Sequence, residues 1–188
     1  MQSDFWIRTD RLLLRPWQME DLGRLILLSH DPGFVSQSGS FCQPMDQISA
    51  RAWIEFSQVL LGQHRGHWGI VENGHLVGIA SLIDQCLDGE DRPMVTIEYR
   101  LAHSARGRGL ATEALAGVLD FGRSKWGIEE FYALIPPDNL AAKNVAFKLS
   151  MTYLRRAFFC GQPTEVFHVR PTQGEPTARF ARREESAA

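Results

Sequence analysis

Residues 99–119, YRLAHSARGRGLATEALAGVL, constrain the fold more than any other part of this chain. The run opens as the end of an apolar strand, passes through the basic glycine turn Arg106-Gly107-Arg108-Gly109, and continues as an amphipathic helix. A strand that empties into a helix through two glycines leaves the first N–H groups of that helix without partners in the helix itself. The helix dipole adds partial positive charge at the same point, so an anion is favoured there, phosphate above all. Glycine lets the backbone approach a ligand closely, and Arg106 and Arg108 add charge suited to a doubly anionic group. Spacing separates this loop from two relatives. A Rossmann turn needs G-x-G-x-x-G after the first strand, whereas this run follows half the chain and has no third glycine. A P-loop needs lysine after its last glycine, and Leu110 follows Gly109.

Length and composition bound what surrounds the loop. A chain of 188 residues predicts one domain, taken as residues 1–170, large enough to hold its own core. Apolar and charged shares of 44% and 22% are those of a soluble globular protein. A net charge of −2 gives no overall attraction to nucleic acid or anionic membrane. No apolar run approaches the ~20 residues of a membrane span, and MQSDFWIRTD lacks a signal-peptide core. Cys42, Cys86 and Cys160 are odd in number with no C-x-x-C, which fits reduced thiols in a cytoplasm and no zinc site. His64 and His67 do not form a metal pair, since no carboxylate joins them at ligand spacing. The expectations are a cytoplasmic protein with no metal and no nucleic-acid or membrane partner.

The chain in order predicts alternating elements. Arg11–Arg15 is a first strand that Pro16 ends, and residues 18–30 form a helix on Met19, Leu22, Leu25, Ile26 and Ser29. Phe34 to Pro44 is an aperiodic loop that could line a substrate cleft. A second helix starts near Asp46 with Ala52, Trp53, Phe56, Val59 and Leu60 as its inward stripe. Strands at 67–72 and 76–82 flank the hairpin signal Asn73-Gly74, and a further strand spans 94–101 after the acidic run Asp88-Gly89-Glu90-Asp91. That run is a solvated turn or an attractor for a cationic substrate. Phe131–Ile135 is a strand, Asp138 and Asn139 cap a helix to about Leu149, and 151–159 with 165–170 make a last hairpin. Phe158 and Phe159 could seal a homodimer. Residues 171–188 are polar and are expected to be mobile or held by a partner.

Arg106 to Ala111 resembles the R/Q-x-x-G-x-G/A signature of the GNAT acyltransferases. Three longer runs are similar to their RimJ/RimL-like branch: TDRLLLRPWQMEDL near the start, RGRGLATEAL at the loop, and NLAAKNVAFKLS from Asn139. They span roughly residues 9–151 in the family's order. The resemblance implies an α/β (α+β) GNAT fold: a central mixed, mostly antiparallel sheet of about six to seven strands with about four helices. It implies acetyl-CoA as cosubstrate, with its pyrophosphate on the N–H groups of Arg106 to Ala111 and neighbouring Thr112. Asn139, Asn144 and Phe147 would line the rest of the cofactor's path, and Leu101, Ala102 and His103 would offer N–H groups to the thioester carbonyl. The sequence departs from the pattern twice. Ala142 stands where the family has serine, and Ser150 where it has glycine.

Acylating an amine requires a base to remove its proton, and Glu98 is the first candidate, acting through a water. His103 and Tyr153 are further candidates. The acceptor decides how much base is needed. An α-amine of pKa 7.7–8.0 is about a tenth neutral at pH 7, whereas a lysine of pKa ~10.4 is neutral only to about 0.04%. A chain without the serine suits the easier nucleophile, so the expected acceptor is an α-amine of a protein, peptide or small molecule ahead of a lysine side chain. The alternative is a CoA-binding sensor that kept the loop and lost the chemistry.

Overall fold

The structure, a computed structural model, describes residues 3–32, 34 and 43–170. Most of the expected cleft loop, Cys42 and the polar C-terminal stretch lie outside these residues. Eight strands form one sheet: β1 (Ile7–Arg8), β2 (Leu12–Pro16), β3 (Gly66–Glu72), β4 (His75–Gln85), β5 (Met94–Leu101), β6 (Phe131–Ile135), β7 (Thr152–Phe159) and β8 (Gln162–Val169). Their order is β1-β2-β3-β4-β5-β6-β8-β7. Every pairing is antiparallel except β5 with β6. The count exceeds the six to seven expected, and two-residue β1 is too short to leave a periodic signal. Asn73 and Gly74 both adopt positive φ, the geometry a two-residue turn between β3 and β4 requires.

Four helices cover the sheet: α1 (Leu22–Ser29), α2 (Gln47–Leu61), α3 (Leu110–Trp126) and α4 (Leu140–Lys148). One core joins α3 and α4 to residues such as Leu14, Trp68, Leu82, Ile97 and Phe131. A second gathers Trp17, Leu25, Leu28, Ile54 and Ile79 beneath α1 and α2. The α2 stripe differs from the sequence reading. Ala50, Trp53, Ile54, Ser57 and Leu61 face inward, while Ala52 is exposed and Phe56 and Val59 are 55% and 60% exposed. Small Ala50 and Ser57 let the helix lie close to the sheet. Trp53 fixes its rotation by packing on Trp17 and His67 at 5.6 and 4.8 Å between ring centroids.

The sheet is interrupted at its middle. β5 meets β6 at a single bridge, Thr96 with Tyr132, and beyond it the two strands part. The acidic segment braces this division. Asp88 accepts hydrogen bonds from the Cys160 and Gly161 N–H groups at 3.0 and 2.8 Å, and Glu90 pairs with Arg155 at 2.7 Å. Asp88 and Glu90 thus tie the end of β4 to the β7–β8 hairpin, so neither is a free solvated turn residue nor a lure for a cation. The outward pair expected of Phe158 and Phe159 is also divided. Alternation sends them to opposite faces of β7, and Phe159 lines the cleft described below.

Candidate active site

The parting of β5 and β6 opens a cleft of about 970 Å³, within the range of ligand sites. Its lining includes Ile97 to Leu101 from β5, Ala133 to Ile135 from β6, residues 105–107 and 109–112, and Asn139, Ala142 and Asn144 of the α4 segment. The ladder fixes which β5 amides face it. Ala102 donates to the Val77 carbonyl at 2.9 Å, so Gly78 and Leu101 form a pair without mutual hydrogen bonds. By alternation the N–H groups of Tyr99 and Leu101 point away from β4, toward a neighbour that has already diverged. Of the three residues expected to offer free amides, Leu101 does so. Ala102 is bonded to β4, and the His103 N–H donates to Asp31 at 2.8 Å.

At the head of the cleft the loop has the geometry an anion needs. Gly107 and Gly109 have φ of 72° and 78°, the left-handed region in which a side chain is strained. Gly109 is the residue before α3, and the first α3-capping hydrogen bond runs from the Glu113 N–H to the Gly109 carbonyl at 3.2 Å. The N–H groups of Gly107, Arg108, Gly109, Leu110, Ala111 and Thr112 donate to no acceptor among the described residues. Six amides without partners, at a dipole's positive end and beside a cleft, fit a diphosphate.

The arginine side chains are not used as expected. Arg106 donates through Nε and Nη2 to the Leu101 carbonyl, both at 3.1 Å, and Arg108 forks onto Glu72 at 2.8 and 2.7 Å. Both guanidinium groups are already engaged within the protein, so the loop presents mainly backbone dipoles. Arg106 still borders the cleft; Arg108 does not.

Around α4, Asn139 borders the cleft, and its Oδ1 accepts from the Ala142 N–H at 3.0 Å, capping the helix. Only its NH2 end can serve a ligand. Asn144 also lines the cleft. Phe147 does not: its ring stands edge-on to Phe167 at 5.6 Å and is mostly exposed. Tyr153 likewise rests on Phe167 at 5.8 Å, half-exposed on β7 at the edge of the sheet, and lines no part of the cleft. The His103 side chain is exposed on the short turn after β5 and is absent from the cleft lining too. Neither Tyr153 nor His103 is therefore brought together with Glu98.

Glu98 is the titratable group that the fold does place. Ile97 and Leu101 belong to the α3 core, so alternation sends Glu98 and Arg100 to the opposite face of β5, where the gap lets them border the same cleft. The Glu98 carboxylate makes no hydrogen bond or ion pair with any described residue, and it remains reachable. Burial pushes it above the ordinary carboxylate value, and the Arg100 charge opposes this only in part. Its cross-strand neighbour is buried Ser81, which shares a 2.7 Å hydrogen bond with the buried His67 Nδ1. Residue types alone gave no sign of this His67–Ser81 pair, although both lie on predicted strands. Among the described residues no group of three or more His, Cys, Asp and Glu is placed to hold a metal, and no helix is long and apolar enough to cross a membrane.

Comparison with known proteins agrees with this geometry. The acetyltransferase (GNAT) domain family matches residues 11–152. The uncharacterised protein YkkB of Bacillus subtilis strain 168 is 28% identical over 163 residues, covering 85% of this chain and 92% of its own. Among solved structures, RimL, a ribosomal L7/L12 α-N-protein acetyltransferase bound to coenzyme A, superimposes with a TM-score of 0.75 at 17% identity, covering 88% of this chain and 97% of that one. Mycobacterium smegmatis RimJ in complex with CoA-disulfide gives 0.69 at 17% identity, covering 88% and 85%. With a split mixed sheet, an anion-ready loop at the split and a family match over most of its length, this chain belongs to the GNAT acetyltransferases, a family that uses acetyl-CoA.

Proposed function

We propose that this N-acetyltransferase acylates a primary amine by direct attack in a ternary complex, and that an α-amine of a protein, peptide or small molecule is preferred to a lysine side chain. The observation that carries the reading is Glu98: a reachable carboxylate with no partner among the described residues, raised in pKa, at the gap between β5 and β6. Bound acetyl-CoA supplies the acetyl group as an activated thioester. The amides of residues 107–112 bind its diphosphate, and the split between the strands admits its arm. The Leu101 N–H is aimed where the acyl oxygen's developing charge can be met, a contact typically worth ~3 kcal/mol in acyl transfer. Glu98 takes the amine proton on its carboxylate, directly or across one water. A carboxylate raised by burial holds that proton better than an ordinary one, yet it stays a weak base beside a lysine. With Ala142 at the serine position and Tyr153 outside the cleft, the site favours an amine that is already partly neutral.

The test is an acceptor panel read by release of free thiol. Peptides with a free α-amine and blocked lysines should react faster than Nα-blocked peptides with free lysines. The reverse order would overturn the acceptor reading.

A further inference from the structure

The outer side of the loop is held by residues that never reach the cleft. Thr9 donates through Oγ1 to Glu113 Oε1 at 2.6 Å, and the Arg11 backbone N–H reaches the same oxygen at 2.8 Å. The Arg11 guanidinium grips the other oxygen of Glu113 through Nε at 2.7 Å and Nη2 at 2.6 Å. Its remaining arm, Nη1, donates to the Arg108 carbonyl at 3.0 Å. Burial alone would raise the Glu113 carboxyl, but the Thr9 and Arg11 hydrogen bonds outweigh it and hold the group below its ordinary value. Glu113 therefore stays charged and stays bound.

This arrangement has a directional consequence. In a planar trans peptide the carbonyl and the following N–H point opposite ways. Arg11 draws the Arg108 carbonyl outward, so the Gly109 N–H of the same plane turns inward, toward the cleft that Gly109 lines and Arg108 does not. The Arg108 side chain, forked onto Glu72, ties the same residue to the end of β3. We propose that Arg11, held by Glu113 and Thr9, is a positioning residue for the acetyl donor: it fixes the Arg108–Gly109 peptide plane so that the loop amides converge on the diphosphate. The inference rests on the loop being the diphosphate site. It also gives a physical reason for threonine and arginine near the start of the chain to accompany Ala111-Thr112-Glu113 a hundred residues later.

The experiment compares two donors: acetyl-CoA, and S-acetylpantetheine, a thioester that lacks the diphosphate. Wild type, Arg11→Ala, Arg11→Lys and Glu113→Gln are assayed for kcat and KM with each, alongside melting temperature. The expected result is a KM for acetyl-CoA raised about ten- to hundredfold in Arg11→Ala, the size of one lost charge-assisted contact, with kcat within about twofold. Kinetics with S-acetylpantetheine should be unchanged, and Arg11→Lys should recover only part of the loss because a point charge cannot serve both acceptors. Equal loss with both donors, or a fall in kcat at constant KM, would overturn the inference and leave the diphosphate site standing. A wild type that shows no preference for acetyl-CoA over S-acetylpantetheine would instead remove the diphosphate site, and the inference with it. Should Arg11→Ala fold poorly, Arg11→Lys and Glu113→Gln carry the same comparison.

Discussion

Gly78 sits on β4 opposite Leu101, where β5 begins to leave the sheet, and it is the position at which packing and chemistry are most tightly joined. A Cβ added there would fall on the Arg100 carbonyl oxygen, closer than non-bonded atoms approach, and 2.6 Å from Leu101 Cδ2. The carbonyl belongs to the backbone and cannot rotate aside, so Gly78→Ala must push the end of β5 away by several tenths of an ångström to about 1 Å. Overpacking of this kind typically costs 1–3 kcal/mol, and at about 2 kcal/mol a domain of this size loses roughly 4–8 °C of melting temperature. The same shift displaces the Leu101 N–H. A misplacement of about 1 Å near the reacting atoms can cost up to ~100-fold, so kcat should fall about ten- to hundredfold. Gly69→Ala is the control, because its Cβ would meet Leu76 Cδ2 at 2.5 Å, the free end of a side chain that can turn. It should cost stability with little change in kcat. The measurements are thermal unfolding and steady-state kinetics at saturating donor. An unchanged kcat in Gly78→Ala, or an equal kcat loss in Gly69→Ala, would refute the idea that the end of β5 positions the acyl group.

Further predictions concern single groups. Glu98→Gln should lower kcat by about 10²–10⁴-fold while raising stability at neutral pH. The sign follows from linkage: the folded pKa of Glu98 is raised, so folding favours its protonated form, and the ionised form costs stability as pH rises through the raised value. The variant and wild type should therefore melt alike below the ordinary value of 4.5 and diverge above it, with Glu98→Gln the more stable; identical melting at pH 8 would argue against a desolvated carboxylate. His67 behaves oppositely. Burial lowers its pKa from 6.5 to about 4, so its neutral form supports folding above pH 6.5 and that support is lost as pH falls toward 4. The loss amounts to about 3 kcal/mol, visible as a falling urea midpoint, and His67→Asn should flatten the slope. Ser150 has φ of 60°, so Ser150→Gly should stabilise by about 0.5–1 kcal/mol in denaturant titration; a loss of stability would show that the serine hydroxyl outweighs the strain.

Much of the architecture could be read from residue order, for reasons that are local. β5 and β6 fall on the expected boundaries because alternation and Pro136-Pro137 mark them within the segment itself. The glycine loop and α3 were legible because positive φ demands glycine and the helix dipole follows from the chain direction. What stayed hidden depends on partners distant in sequence. Arg108 looked like a phosphate ligand until Glu72, thirty-six residues earlier, proved to hold it. Phe147 and Tyr153 looked like cleft residues until both were found on Phe167. The α2 stripe was drawn from the largest apolar residues, whereas the helix turned its small ones inward. Thr9, Arg11 and Glu113 were visible as motif letters, but their joint grip on the loop could be seen only once the ends of two separate elements met.

The single bridge between Thr96 and Tyr132 has a consequence for how the protein answers heat. Two half-sheets riveted at one point, with a brace at Asp88, leave backbone groups along the split that a ligand's amide arm can satisfy. Ligand bound at about a hundred times its dissociation constant adds ~2.7 kcal/mol to the folded state. The thermal tolerance of this enzyme would then rise and fall with the supply of its acetyl donor, making a starved molecule the softer one.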